Sequence, residues 1–370
     1  MNDCLIIGAG AVGLSLAYEL ARRGKRVSVI DRREPGSEAS WAGAGILPPA
    51  NARTARNGYE ELLALSNELH GRWAVELQEL TGIDNGLRRC GGIYLARTEA
   101  DADALAQQAA DWRLMKIDCE PLDAAAMAKY EPGLVAASEL PILSAYRLKD
   151  ESQLRNPRHL QALVAACHRV GVGIRSGIEC SALNTSGDRV TGIVTNAGVL
   201  SAESYCVASG AWTSELLAPF GVQVQVKPIR GQIVLFRTAE PVLRQVVNEG
   251  PRYFVPREDG RLLVGSTEED VGFDARNTAK GVQGLIDFAM SLVPELADAR
   301  TEKTWAGLRP ATSDGLPLVG PIPGTTNAFC AAGHFRSGLQ LSPGTATVIA
   351  QMMCGERPAI DLEIMRVDRG

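Results

Sequence analysis

Apolar and polar positions alternate in two different rhythms along the 370 residues. An unbroken apolar run at residues 4–7 reads as a fully buried strand, and residues 11–23 carry apolar positions at helical spacing before a glycine stop. Residues 26–31 then read as a second strand, completing a strand–helix–strand unit. Helical patterns recur over 59–80, 99–112 and 157–170, and strand-like pieces over 92–96, 189–195 and 204–208, with a hairpin in "TSGDRVTGIVTNAG". Residues 205–216 read as a strand ending at Ser209-Gly210 and a short helix that Thr213 can cap. From 222 to 267 the texture changes to long strands with turns at Arg230-Gly231 and Asp259-Gly260, which predicts a largely antiparallel sheet. Near the C-terminus, Ser342 as N-cap and Pro343 in the first helical position predict a helix through residue 353.

Composition narrows the class without naming a function. A chain 45% hydrophobic and 22% charged, at this length, is an ordinary globular balance with room for two domains. A net charge of −5 supplies no basic field for nucleic acid or an anionic membrane, so the expected partners are small molecules. The eight cysteines form no CxxC pair and no zinc-like spacing with histidine, and no metal site is expected. They read as reduced thiols of a cytoplasmic protein. The first apolar run is too short for a signal sequence, and no segment approaches the ~20 apolar residues that span a bilayer. His70, His159 and His168 lie on helical patterns and read as solvated or capped.

The first strand–helix turn carries the sharpest chemistry. Gly8, Gly10 and Gly13 stand at GxGxxG spacing, which serves a tight turn, close approach of backbone to a pyrophosphate, and close helix-to-strand packing. The helix N-terminus presents free N–H groups to phosphate, and Asp31 at the tip of the second strand is placed to accept hydrogen bonds from ribose hydroxyls. A close-packed turn without ligand is the plain alternative, and the motif does not distinguish NAD from FAD. The small-residue stretch "ASWAGAGILPPA" at 39–50 lets backbone lie against a flat ring, or is simply a linker. In "AAGHFRSG", at 331–338, glycines flank His334 and Arg336; the plain reading is a surface turn.

Taken together, the N-terminal unit, "VASGAW", "PIRGQ", "YFVPREDG", "WAGLRP" and "GHFRSG" resemble the D-amino-acid-oxidase-like flavoproteins, with the nearest likeness to the glycine oxidases of the thiamine pathway. The resemblance runs over nearly the whole chain. It implies an α/β fold: a Rossmann-like FAD-binding domain assembled from discontinuous segments (1–82, 148–220 and 304–370) and a substrate domain with a largely antiparallel sheet (83–147 and 221–303). It implies non-covalent FAD held by Gly8, Gly10, Ala11, Val12, Gly13, Asp31 and Arg32, by Ala39, Ser40, Ala44, Gly45 and Ile46, by Ile178 and Gly210, and by the run His334, Phe335, Arg336, Ser337, Gly338, Leu339 and Gln340. Arg309 resembles the family's carboxylate anchor, Tyr253 a second donor to that carboxylate, Arg336 a further pocket arginine and Ile46 a pocket-lining residue. No residue is assigned as acid or base. Ser337, where these oxidases usually carry asparagine, and Pro251, where some carry histidine, depart from the pattern.

The activity so implied is oxidative deamination of glycine, sarcosine and small D-amino acids, with hydride leaving Cα for the flavin and O2 taking the electrons to give H2O2. A homo-oligomer is also expected from the family. Three other readings stay open at this point: a D-amino-acid dehydrogenase serving a quinone or other carrier, a non-catalytic flavoprotein, and a nicotinamide dehydrogenase.

Overall fold

The computed structural model describes residues 2–135 and 141–369, so residues 1, 136–140 and 370 of the expected domain spans lie outside it. Two large sheets organise the chain. The first has six strands in the order Leu318–Pro321, Ala328–Ala332, Ala202–Val207, Asn2–Ile7, Val27–Ile30 and Gly173–Arg175. It is parallel except for the outermost pair, Leu318–Pro321 against Ala328–Ala332. The unbroken apolar run at its centre follows from burial on both faces. Cys4 and Ile6 pack among the helices, whereas Leu5 and Ile7 face the layer holding the hairpin Cys180–Ser186 and Arg189–Thr195. The helices Ala11–Arg22, Gly58–Thr81, Asn156–Arg169 and Gly338–Met353 form the covering layer on the first side.

The second sheet has eight strands, in the order Arg300–Thr312, Val226–Arg237, Arg261–Gly265, Arg252–Pro256, Val246–Glu249, Gly92–Ala96, Ser144–Leu148 and Cys119–Pro121. Every pairing is antiparallel except Val246–Glu249 with Gly92–Ala96. One face packs Phe236 and Phe254 against Leu285 and Phe288 of the helix Ala279–Leu292. The opposite face, which carries Tyr253 and Trp305, looks toward the glycine-rich segments of the first sheet. The fold is therefore α/β, with a Rossmann-like sheet drawn from discontinuous segments and a largely antiparallel second sheet.

Four local expectations are corrected. No turn occurs at Arg230-Gly231: the strand Val226–Arg237 runs straight through, because Arg230 is buried in ion pairs with Glu269 and Asp274. Thr213 is not a cap; it lies inside the helix Thr213–Leu217 and donates its hydroxyl to the Gly210 carbonyl at 2.8 Å. The last helix begins at Gly338, so Ser342 and Pro343 are interior. Proline there frees the Leu339 carbonyl, which accepts instead from Ser342 Oγ at 2.8 Å and lies 3.1 Å from His70 Nε2. Finally, the boundary at 303/304 falls inside the continuous strand Arg300–Thr312, since its ladder with Val226–Arg237 is paired along nearly its whole length.

Candidate active site

A cleft of about 520 Å³ runs between the two sheets, from the first glycine turn to the strand carrying Arg309. At the glycine end the backbone does most of the shaping. Gly8 sits at φ +111°, where any Cβ would strike the Ala208 carbonyl, and a Cβ at Gly13 would strike Gly8 itself. Gly13 is accordingly a packing residue that does not line the cleft, alone among the cofactor residues named from sequence. Gly10 is the N-cap of Ala11–Arg22, whose first-turn amides lack intrahelical acceptors. Asp31 lines the cleft while bracing the turn: its two oxygens accept from Ala9 N at 2.7 Å and Arg33 N at 2.8 Å. Both of its oxygens thus serve the turn itself, a structural role that the expectation of a ribose contact did not include. Arg32 lies over the Trp212 ring, 3.9 Å from its centroid.

The stretch after Asp31 is less of a loop than its small residues suggest. Ala39–Ala42 forms a short helix and Ile46–Leu47 pairs with Ser152–Gln153. Ser40 Oγ accepts from Ala11 N at 2.9 Å, tying this segment to the first helix. Two residues missed in the sequence hold it from outside. Asn156 Nδ2 donates to Ser40 O at 2.8 Å, leaving Asn156 Oδ1 buried in the cleft wall without a partner. Arg257 is 7% exposed and donates to the carbonyls of Ala44 and Leu154 and to Gln153 Oε1; burial pushes its guanidinium down to about 9. It belongs to "YFVPREDG", but only the fold shows that it reaches back to Ala44.

At the other end charged side chains dominate. Arg309 projects over Gly231, where a Cβ would fall inside the guanidinium. That is why "PIRGQ" needs its glycine. Arg309 donates to Thr267 O at 3.2 Å and to Ser266 Oγ, and among the described residues it has no carboxylate within 4 Å. Arg336 donates to Pro251 O at 2.6 Å and lies 3.7 Å from Glu268 Oε2. Burial, and then the nearby Arg309 charge, push the Arg336 guanidinium below its usual value. Tyr253 and Ile46 line the same end. Two like charges facing one space favour an anion there.

The turn of "AAGHFRSG" forms the cleft wall between the two ends, with every residue from His334 to Gln340 on it. Gly333 and Phe335 both have positive φ, +72° and +45°, and the latter is a strained position for phenylalanine. His334 is buried rather than solvated: its Nε2 lies 3.0 Å from Thr345 Oγ1, and desolvation pushes the imidazole down to about 4. His70 and His159 correct the solvated reading in the same way, both buried and pushed down to about 4 and 3 by desolvation; His168 alone stays exposed. The start of Gly338–Met353 therefore opens on the cleft itself.

Residues 3–352 match the model of the DAO family, described as FAD dependent oxidoreductase. The chain belongs to this family. As an FAD-dependent oxidoreductase it is 34% identical over 358 residues to a glycine oxidase of Pseudomonas aeruginosa, covering 96% of each chain. It is 33% identical to a bifunctional protein ThiO/ThiG of Nostoc, matching 96% of this chain and 53% of that longer one. The crystal structure of glycine oxidase from Geobacillus kaustophilus superposes with a TM-score of 0.93 at 34% identity, covering 100% of this chain and 99% of that one. The FAD-dependent oxidoreductase is thus an enzyme of the amino acid oxidase type. Its own cleft fits FAD: the positive-φ glycine cradle, the first turn of the helix beyond the Ser40-capped Ala11 amide and the orphaned Asn156 Oδ1 all face one continuous space.

Proposed function

We propose that the enzyme oxidatively deaminates glycine and comparably small amines, sarcosine and small D-amino acids among them. The supporting observation is the pair Arg309 and Arg336 facing one end of the cleft beside Tyr253, with Arg309 free of any carboxylate partner among the described residues. A guanidinium matches a carboxylate in two parallel hydrogen bonds, so Arg309 fixes the acid end of the substrate while the Tyr253 hydroxyl donates a further bond. Holding the carboxylate fixes where Cα lies, which is the main task in a reaction with few partners to assemble. FAD, when bound, supplies the acceptor for the hydride that leaves Cα. Ile46 lines the same cleft, and its bulk favours a small substrate side chain.

The overall reaction is glycine, O2 and water giving glyoxylate, ammonia and H2O2. The relatives named glycine oxidase and ThiO/ThiG support that substrate and a place in thiazole supply for thiamine. FAD is held non-covalently: Cys180 is the cysteine on the cleft, and burial pushes its thiol up to about 11, away from the reactive thiolate. No helix among the described residues is long and apolar enough to cross a membrane, and the eight unpaired thiols suit the cytoplasm. The test is a peroxide-coupled screen of glycine, sarcosine, proline and D-alanine with stopped-flow reoxidation of the reduced enzyme. Peroxide from glycine with fast reoxidation is expected; slow reoxidation by O2 with fast transfer to a quinone would replace the oxidase reading with a dehydrogenase.

A further inference from the structure

Across the cleft face of the second sheet, Tyr94, Asn248 and Tyr253 stand side by side on three adjacent strands. Asn248 is directly opposite Tyr94 on one side and Tyr253 on the other. Directly opposed residues share a face, so all three point toward the cleft, which each of them lines. Behind this row lies a carboxyl group that the proposed chemistry does not use. Glu151 is fully buried, and its carboxylate occupies the space that a Cβ at Gly92, two residues before Tyr94, would fill. One oxygen accepts from Tyr94 Oη at 2.6 Å and the other from Asn248 Nδ2 at 3.3 Å. No arginine or lysine among the described residues lies within ion-pair distance of it.

This network decides which way the Asn248 amide faces. Burial pushes the Glu151 carboxyl up to about 7; above that pH it is a carboxylate, which only accepts, so it claims the amide nitrogen and turns Oδ1 away from itself. On a residue that lines the cleft beside Tyr253, Oδ1 has no hydrogen-bond partner among the described residues. An acceptor beside a phenol, in a cleft that also holds two cations, completes the polarity that a zwitterion requires.

Resting on the reading of this cleft as an amino acid oxidase site, we propose that Asn248 Oδ1 accepts a hydrogen bond from the substrate's amino group, and that Glu151 and Tyr94 are positioning residues that hold the amide in that orientation. Asn248 then sets a requirement for an N–H on the substrate, which primary and secondary amines meet and tertiary amines meet only when protonated. The carboxylate is read by the arginines and the amine by this row.

The experiment compares glycine with acetate, which keeps the carboxylate and lacks the amine, on FAD-loaded enzyme. Acetate binding is read from the flavin absorbance shift. Glycine binding is read from the concentration dependence of anaerobic flavin reduction, or of the absorbance shift if no reduction occurs. Asn248→Leu should weaken glycine roughly ten- to hundredfold and leave acetate within twofold. Glu151→Gln, whose amide can pair with either end of Asn248, should raise the KM for glycine several-fold with kcat nearly unchanged and acetate unaffected. Equal weakening of glycine and acetate, or unchanged glycine binding in Asn248→Leu, overturns the recognition role. Unchanged KM in Glu151→Gln overturns the positioning role. Thermal melting and the bound-flavin spectrum establish that each variant is folded. Failure of the substrate assignment appears separately, as absence of peroxide from glycine with the wild-type enzyme.

Discussion

The two ends of the cleft are built on opposite principles. At the glycine end, backbone makes the surface, and the protein's own groups already satisfy much of it: Asp31 holds Ala9 and Arg33, and Ser40 holds Ala11. At the arginine end, side chains make the surface, and Arg309 is left with only neutral oxygen partners. The first end is a shape that exists before any ligand arrives. The second is a charge imbalance that a ligand must complete, and binding energy available to orient a small substrate is concentrated there.

The contrast breaks most sharply at Arg309. Arg309→Leu should lower kcat/KM for glycine by roughly a thousandfold, the scale of removing a buried charge-assisted pair, while FAD content and its spectrum stay unchanged. Loss of flavin instead would show that the two ends are not separable. Next in size is Gly8→Ala, which forces a side chain into a backbone at φ +111°. It should yield protein depleted in FAD, measured as the flavin-to-protein absorbance ratio, with the residual holoenzyme retaining near-normal KM. Gly231→Ala should push the Arg309 guanidinium aside and raise the KM for glycine roughly tenfold, with FAD retained, so that a glycine acts here through a charge.

The smallest effect concerns the turn between the ends. His334, His70 and His159 are held neutral with pKa values of about 4, 4 and 3, below the ordinary 6.5. The unfolded chain therefore takes up protons first, and stability present above pH 6.5 is lost as pH falls toward 4. For one such histidine the loss between pH 7 and pH 5 is up to about 2 kcal/mol. Urea midpoints at these two pH values should lie closer together in His334→Gln than in wild type.

The same contrast explains what could be read from the sequence. Gly8, Gly10 and Gly13 are legible because a local turn constrains local spacing, and the surrounding strand and helix confirm their context within 31 residues. The unbroken apolar run 4–7, read as a fully buried strand, is equally local, and the structure buries it on both faces. Arg257, Asn156 and the row Tyr94, Asn248 and Tyr253 are different: each acquires its meaning from a neighbour far along the chain, such as Ala44, Ser40 or Glu151. Arg230-Gly231 looked like a turn because Arg is usually solvated, and only the acids at 269 and 274 explain its burial in a strand. Pro343 looked like a helix start because helices seldom tolerate proline inside; the remote His70 and the adjacent Ser342 supply what proline removes.

The strand Arg300–Thr312 has one further consequence. Its 13 residues span about 40 Å. Along that length Trp305 Nε1 holds Ala42 O at 3.0 Å, Arg309 reaches the cleft, and Ala311 bridges to His334. A single hydrogen-bonded rod thus gauges the distance from the loop beneath the glycine turn to the wall opposite. The strand belongs to the second sheet and is tied to the first half at both of these points, so widening the cleft along it means breaking the Trp305–Ala42 bond and the Ala311–His334 bridge.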